Sequence, residues 1–446
     1  TQTLDAHAPR ILEGVHLDVE TAAVFHYDFE TSGRDDVELL HWAWGHQQSI
    51  MDFEVPDAPK FPSEVLTPLV APTGGAMTPL LGTRWTLRID LSGAQQLDFL
   101  LPAEIEGAHR DEVAARLNDG LINDIAAEAC MRNQWATPEC ERPRTFLFTN
   151  GFYTNGKGLQ KVAYYCLMSE RLFGAGDQRT QTCIDLLARA FKCHYDPSQG
   201  CGGVPTAYYD TQWGGVAGRQ GFHTEMCGLA DFGNACYNDH HYHYGYFIVP
   251  AAALLKLRPS MAGERGFIDY INAMVRDTAN PSTNDRYFPQ FRAFDWYDMH
   301  SWSHGVTPSA DGKDEESTSE DVNFYFGVQM WGRVTGNRAL EQTGAMLLSL
   351  TAHTVKELFL MRSGNTRHHP DYVKNHVTGI FFQNKAHYGT FFGADEWFIH
   401  GVQMLPLSPA LLLAQTPEFC SEEWSDILSK INLGAAAPGW ASLLLT

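Results

Sequence analysis

The chain of 446 residues has little charge, and least of the positive kind. Lys and Arg number 32 against 53 Asp and Glu, a formal charge of −21, and charged residues make up only 19%. That deficit argues against nucleic acid or an anionic membrane as partner, because phosphate contact requires a net basic face. No apolar run reaches the ~18 residues that span a bilayer; the stretches at 244–257 and 404–414 are short and interrupted by proline. There is no Cys-x-x-Cys pair, no His-Glu-x-x-His helix, no Gly-rich phosphate loop before a strand and no Gly-x-Ser-x-Gly elbow. These absences remove zinc modules, zincins, nucleotide folds and serine hydrolases from consideration. No N-glycosylation acceptor occurs either, since Asn280 is followed by Pro281. The chain starts at Thr1 without an initiator Met or a leader pattern, and is expected to be a processed form or a fragment. Nine cysteines, with Cys130/Cys140 and Cys193/Cys201 spaced for small loops, lean towards a secreted protein and leave one thiol unpaired in a monomer.

Rings are abundant instead: 11 Trp, 17 Tyr and 26 Phe, with 19 His. That load in a charge-poor chain points to an uncharged, ring-shaped ligand. Along the first hundred residues Phe25, Tyr27 and Phe29 alternate with His26, Asp28 and Glu30, and Trp85, Leu87, Ile89 and Leu91 with Thr86, Arg88 and Asp90. Period two with aromatic and branched residues predicts a half-buried antiparallel sheet. Pro56, Pro59, Pro62, Pro68 and Pro72 mark an irregular connection between these runs. From about Pro102 the pattern turns helical. Leu159, Val162, Ala163, Cys166 and Leu167 form one stripe, and Ile184, Leu187, Ala188 and Phe191 another. Phe267, Ile271, Met274 and Val275, then Leu347, Leu350, Thr354 and Leu358, repeat the spacing. Helices separated by long polar-aromatic loops fit a helical toroid with the loops at one rim; an irregular bundle fits the periodicity equally well.

Three segments carry chemistry. The first, Asp231-Phe-Gly-Asn-Ala-Cys-Tyr-Asn-Asp-His-His-Tyr-His-Tyr-Gly245, precedes an apolar helix over 246–257 in which Pro250 makes a kink or the first turn. Capping by Asn238 or Asp239 would explain Asp239 structurally. A metal site is disfavoured, because His241 and His243 diverge on a helix at i, i+2. A catalytic carboxyl, kept protonated by desolvation, is the third reading. The second segment, from Phe288 to Trp302, offers Trp296, Tyr297 and Trp302 for stacking and Asp295 and His300 for hydroxyls, although any single ring is as readily core. The third has six acids, Asp311, Asp314, Glu315, Glu316, Glu320 and Asp321, within eleven residues. Ser317-x-x-Glu320 is a capping box, so a helix is expected to start there with Glu320 occupied structurally and Glu316 left in the loop. A solvated acidic loop is the plain reading. Two carboxyl loops beside aromatic walls are what glycoside hydrolysis needs.

Several of these stretches resemble glycoside hydrolase family 81. They are Tyr209-Asp-Thr-Gln-Trp-Gly-Gly215, the 231–245 segment, Phe294-Asp-Trp with His300-Ser-Trp302, and Asp311-Gly-Lys with Glu316-Ser-Thr-Ser-Glu320. Val377-Thr-Gly-Ile-Phe-Phe382 and His400-Gly-Val-Gln-Met-Leu-Pro406 continue the match. The resemblance implies a multidomain, mainly α protein: a truncated antiparallel β-sandwich over 1–104, a small α/β connector over 105–145 and an (α/α)6 barrel over 146–446. It implies a secreted or cell-wall, inverting endo-β-1,3-glucanase of laminarinase type, monomeric, with no metal or other cofactor and β-1,3-glucan as partner. A β-glucan-binding or elicitor-recognition protein with little turnover is the alternative. Carried over by motif, Asp239 is the general acid and the base is Glu316 or Glu320; the capping box favours Glu316, with Glu320 holding the water or a sugar hydroxyl. Trp213, Tyr237, His241, His243, Tyr244, Asp295, Trp296, His300, Trp302 and Lys313 are the expected substrate-site residues, His243 and Tyr244 by shaping the acid's surroundings. Inversion requires the two carboxyls to stand roughly 6.5–9.5 Å apart. The chain departs from the family in having Asp314-Glu315 where Asn-Gln is common, and Met299 where a glycine precedes His300.

Overall fold

The computed structural model describes residues 2–63, 66, 68–100, 110–119, 151–199, 201, 204–221, 230–432, 434, 436 and 438–444. Six strands precede the helical region: β1 (Arg10–Thr21), β2 (Val24–Gly33), β3 (Leu40–Trp44), β4 (Leu69–Val70), β5 (Ala76–Leu81) and β6 (Arg84–Arg88). They form two antiparallel sheets ordered β1-β2-β6 and β3-β5-β4. Pairing of Phe25 with Leu87 and Tyr27 with Trp85 gathers the expected aromatic row on one buried face. The opposite face is less polar than alternation predicts. His26 and Thr86 are buried there and hydrogen-bond each other at 3.0 Å. The last strand stops at Arg88, so Ile89 and Leu91 fall beyond it.

Six long helices follow: α1 (Phe152–Phe173), α2 (Gln178–Tyr195), α3 (His240–Leu257), α4 (Arg265–Ala279), α5 (Thr318–Thr335) and α6 (Arg338–Leu358). The central helix α3 packs against α1 and α5, and α5 against α6. Almost every residue of α3 is buried, which its nearly unbroken apolar sequence allows. It begins at His240, earlier than expected, so Pro250 lies in its interior and not in its first turn. The apolar stripes of α1, α2, α4 and α6 face the core as the spacing predicts. None of the helices among the described residues is long and apolar enough to cross a membrane. Disulfides join Cys166 to Cys183, tying α1 to α2, and Cys193 to Cys201; Cys420 is free and exposed. Cys130 and Cys140 lie outside the described residues.

Short antiparallel pairs decorate the ends of the helices: β7 (Ala207–Asp210) with β8 (Gly215–Gly218), β9 (Phe294–Asp295) with β10 (His300–Ser301), and the sheet of β11 (Asp314–Glu315), β12 (Ile380–Phe382) and β13 (Ala386–His387). One continuous hydrophobic core runs from Phe25 in β2 through the helices to Phe419. The β9–β10 hairpin is clamped to the N-terminal sheets. Three successive carbonyls of the hairpin accept from the N-terminal region: Trp296 from the Tyr27 hydroxyl, Tyr297 from Gln47 Nε2 at 2.6 Å, and Asp298 from His46 Nε2 at 3.0 Å. Of the expected connector over 105–145, residues 110–119 are described and are helical.

Candidate active site

Asp239 stands at the N-cap of α3 with φ 58°, a left-handed conformation unfavourable for a residue with a side chain. Its carboxyl caps nothing, which removes the structural reading of this residue. Asn238 does not cap α3 either; its Oδ1 accepts from Gly305 N at 2.6 Å. The backbone is held on both sides of Asp239, by Asp239 N donating to Ser303 O at 2.8 Å and His243 N to Asp239 O at 2.9 Å. Earlier in the same loop Asp231 accepts from the N–H groups of Phe152 and Tyr153, closing the first turn of α1 beyond Gly151. His240 Nδ1 lies 2.5 Å from Asp277 Oδ2, and its Nε2 donates to Asn234 O at 2.8 Å. Asp277 also accepts from Val216 N at 3.2 Å and pairs with Arg292 at 3.3 Å. This crowding explains Gly215: a Cβ there would stand 2.3 Å from Tyr237 and 2.5 Å from Asp277.

Most of the acidic segment is not solvated. Asp311 pairs with Lys385 and Asp314 with His304, at 2.6 and 2.8 Å. Glu315 accepts from Tyr242 O–H at 2.5 Å, Glu320 from Tyr246 O–H at 2.7 Å, and Asp321 from Ser301 Oγ at 2.8 Å. Glu316 accepts from Phe391 N at 2.8 Å. Helix α5 starts at Thr318, as expected, but the capping box does not form. Ser317 Oγ makes no cap and donates to Val402 O, while the Glu320 carboxyl turns inward to Tyr246. Helix capping therefore gives no preference for Glu316 over Glu320.

Exposure separates the two glutamates instead. Glu320 is 4% exposed, whereas Glu316 and Asp239 are half-buried. Burial raises the Asp239 carboxyl well above its ordinary range, and the charges of Glu316, Glu320, Asp314 and Glu315 push it further. Burial pushes Glu316 up to about 7, opposed by the Phe391 N–H. Tyr153, which the sequence reading missed, sits in the combined field of Glu320, Asp239 and Glu316 and bonds Glu320. Lys157, one turn along α1, donates to its hydroxyl at 2.7 Å. Their i, i+4 spacing on a face beside the apolar stripe was the available signal. Tyr246 was missed for the opposite reason, hidden in a run that reads as core.

The remaining expected residues divide by depth. Trp213 and Lys313 are exposed. Tyr237 is buried, donates to Asp210 Oδ2 at 2.9 Å and stacks under Arg292. His243 is buried, its Nδ1 3.1 Å from Asn234 Nδ2; Tyr244 is also buried and its hydroxyl donates to Val216 O. With almost no open surface, these three brace the loop that carries Asp239. His300 is buried, donates to Ser301 O at 2.6 Å and is pushed down to about 4 by burial. Trp302 is 5% exposed and stacks on Phe381. Asp295 accepts the N–H groups of Tyr297 and Asp298, and Trp296 packs among Phe25, Phe291 and Phe294. Two rings not singled out stand open beside the carboxyls: Phe232, edge-on to Tyr153, and Phe391, next to Glu316. Met299 adopts φ 59°, a conformation that glycine takes at less cost, which accounts for glycine at the equivalent family position. His241 and His243 do diverge. His241 turns to Glu315 and Asp321, whose ligand atoms with its own lie within 4.8 Å of one another, the one such metal-competent group among the described residues.

A helix-rich frame with two half-buried carboxyls, one held well above the ordinary carboxylate range, has the groups that the class of carboxylate-based glycoside hydrolases uses. Residues 133–446 match the glycosyl hydrolase family 81 C-terminal domain, and this chain belongs to that family. It is 35% identical over 427 residues to a glucan endo-1,3-beta-D-glucosidase of Arthroderma benhamiae, covering 94% of this chain and 44% of that protein. It is 33% identical to a primary septum glucan endo-1,3-beta-D-glucosidase of Schizosaccharomyces pombe, covering 99% and 41% respectively. The chain thus spans less than half the length of these relatives. A family 81 glycoside hydrolase from Clostridium thermocellum, solved as a point mutant, shares the fold with a TM-score of 0.77 at 19% identity, over 99% of this chain and 56% of the other.

Proposed function

We propose that this chain hydrolyses β-1,3-glucan internally, with inversion, by a single displacement. The observation that carries this reading is the pairing of half-buried Asp239 and Glu316 among acids that are otherwise buried or engaged by partners. Asp239, protonated, donates to the glycosidic oxygen as the C1–O bond breaks. Glu316 takes a proton from a water that attacks C1 from the opposite face, and the water oxygen becomes the new anomeric hydroxyl. A carboxyl near 7 suits a base at neutral pH, being basic enough to accept a proton yet ionised in a useful fraction. Glu320, held by Tyr246 and Tyr153, orients the water or a sugar hydroxyl.

The relatives' names support β-1,3-glucan as substrate. Exposed Trp213, Phe232 and Phe391 offer flat faces to the axial C–H groups of an uncharged sugar. The division into a partial sandwich over 1–104, a connector over 105–145 and an (α/α)6 barrel over 146–446 belongs to the same proposal. So do a monomeric state and a secreted or cell-wall location, which the disulfides favour. The test is reducing-end release from laminarin and curdlan, with proton NMR of the fresh product. An initial α-anomer signal is expected. An initial β-anomer refutes inversion, and tight binding without release refutes the enzyme reading in favour of a glucan-recognition protein.

A further inference from the structure

The strongest unexplained feature lies directly beneath the candidate carboxyls. His241, Glu315 and Asp321 converge in the interior with exposures of 1%, 0% and 0%. His241 Nε2 stands 3.7 Å from Glu315 Oε1 and 3.9 Å from Asp321 Oδ1. Both separations are too long for hydrogen bonds. His241 Nε2 consequently ends without a hydrogen-bond partner, facing two carboxyl oxygens that accept from Tyr242 and Ser301. A buried imidazole nitrogen left unpaired is costly, and one set between two buried carboxyls calls for a partner common to all three. Because none of the three groups bonds another, sharing a proton within the triad does not supply it.

We propose that this triad binds a divalent transition ion, zinc by the chemistry of its donors. One imidazole nitrogen and two carboxylates are a borderline donor set that suits zinc better than calcium or magnesium. Three atoms at these separations, all within 4.8 Å of one another, surround a point about 2.2–2.5 Å from each, so closure by a few tenths of an ångström gives zinc bonds of roughly 2.0–2.2 Å. The outer partners are in position: Tyr242 O–H and Ser301 O–H already donate to the carboxyl oxygens and fix their rotation.

The placement gives the ion a positioning role. His241 is two residues from Asp239, Glu315 precedes Glu316, and Asp321 follows Glu320. One ion would tie together the three segments that carry the proposed acid, base and auxiliary glutamate. The inference concerns the triad alone and stands whether or not the chain cleaves glucan.

The test uses the full chain, stripped with a chelator and dialysed against micromolar zinc chloride, with metal content read by mass spectrometry. Native protein is expected to hold about one equivalent more zinc than Glu315→Gln, which keeps the shape and the Tyr242 hydrogen bond but lacks the charge. Equal zinc contents overturn the proposal, since the remaining histidines bind adventitiously in both proteins. Should circular dichroism show Glu315→Gln unfolded, Asp321→Asn takes its place. Independently, cobalt(II) added to the stripped native chain should develop visible d–d bands that saturate at about one equivalent and vanish on adding zinc. A colourless titration overturns the site without reference to any variant.

Discussion

Replacing Asp277 with alanine is expected to destabilise the protein far more than its distance from the proposed acid in sequence suggests. Asp277 has no exposed surface and serves three groups at once: His240 Nδ1, the Val216 N–H and the Arg292 guanidinium. Alanine leaves all three without that partner. Breaking a buried charged pair costs about 3–5 kcal/mol, and each orphaned neutral donor about 1–3. Because the three share one carboxyl, these terms overlap instead of adding, and about 4 kcal/mol is the reasonable total, near a thousandfold in the folded-to-unfolded ratio. Asparagine keeps the shape and one acceptor oxygen, so Asp277→Asn should lose roughly half as much. Guanidinium unfolding followed by tryptophan fluorescence is a suitable assay, since buried Trp331 donates to Asn272 on the same helix as Asp277. A loss below about 1 kcal/mol for the alanine variant would refute the reasoning. Below the transition, the variant should also show reduced kcat on laminarin, because His240 is the first helical residue after Asp239.

Glu316→Gln should cost about 10²–10⁴-fold in turnover and recover with azide, giving the inverted glycosyl azide; rescue of Glu320→Gln instead would exchange the two roles. Tyr246→Phe removes one donor to Glu320 and should lower kcat by about tenfold, following the ~1.5–3 kcal/mol of a hydrogen bond to a charged group; an unchanged kcat would show that this bond does not matter to turnover. His41 accepts from Trp85 Nε1 and is lowered by burial to about 4 in the folded state. The unfolded chain then binds more protons between pH 6.5 and 4, so the stability contributed is present above ~6.5 and lost as pH falls. His41→Gln should flatten the melting temperature across that window, and an unaltered slope would contradict the assignment. Removing the Cys166–Cys183 bridge, which spans 17 residues, should cost about 3 kcal/mol, measured by denaturant unfolding of the double serine variant.

What the sequence revealed depended on whether the signal was local. The helical stripes of α1, α2, α4 and α6 and the Phe25–Phe29 strand are periodic within a dozen residues, and they were legible. The two carboxyl segments were legible as chemistry because their residue types are unusual for their surroundings. Their partners were not. Tyr246 and Glu320, or His241 and Asp321, meet only when α3 packs on α5, and no spacing rule encodes that meeting. The capping box failed for a related reason: Ser317 and Glu320 were both drawn into tertiary hydrogen bonds stronger than the local option. Tyr237 was expected at the substrate site by motif, and its burial, which a motif does not determine, leaves it bracing the loop beside His243 and Tyr244.

The clamp on the β9–β10 hairpin has a practical consequence for anyone trimming this protein. A cut near residue 146, intended to liberate the helical part, would strip the carbonyls of Trp296, Tyr297 and Asp298 of their donors in one stroke. It would also leave the face once covered by Phe25 open to water, beside loops that must hold two carboxyls in register. The N-terminal sheets are therefore part of the mould that shapes these loops, and shortened versions should be designed around that seam instead of across it.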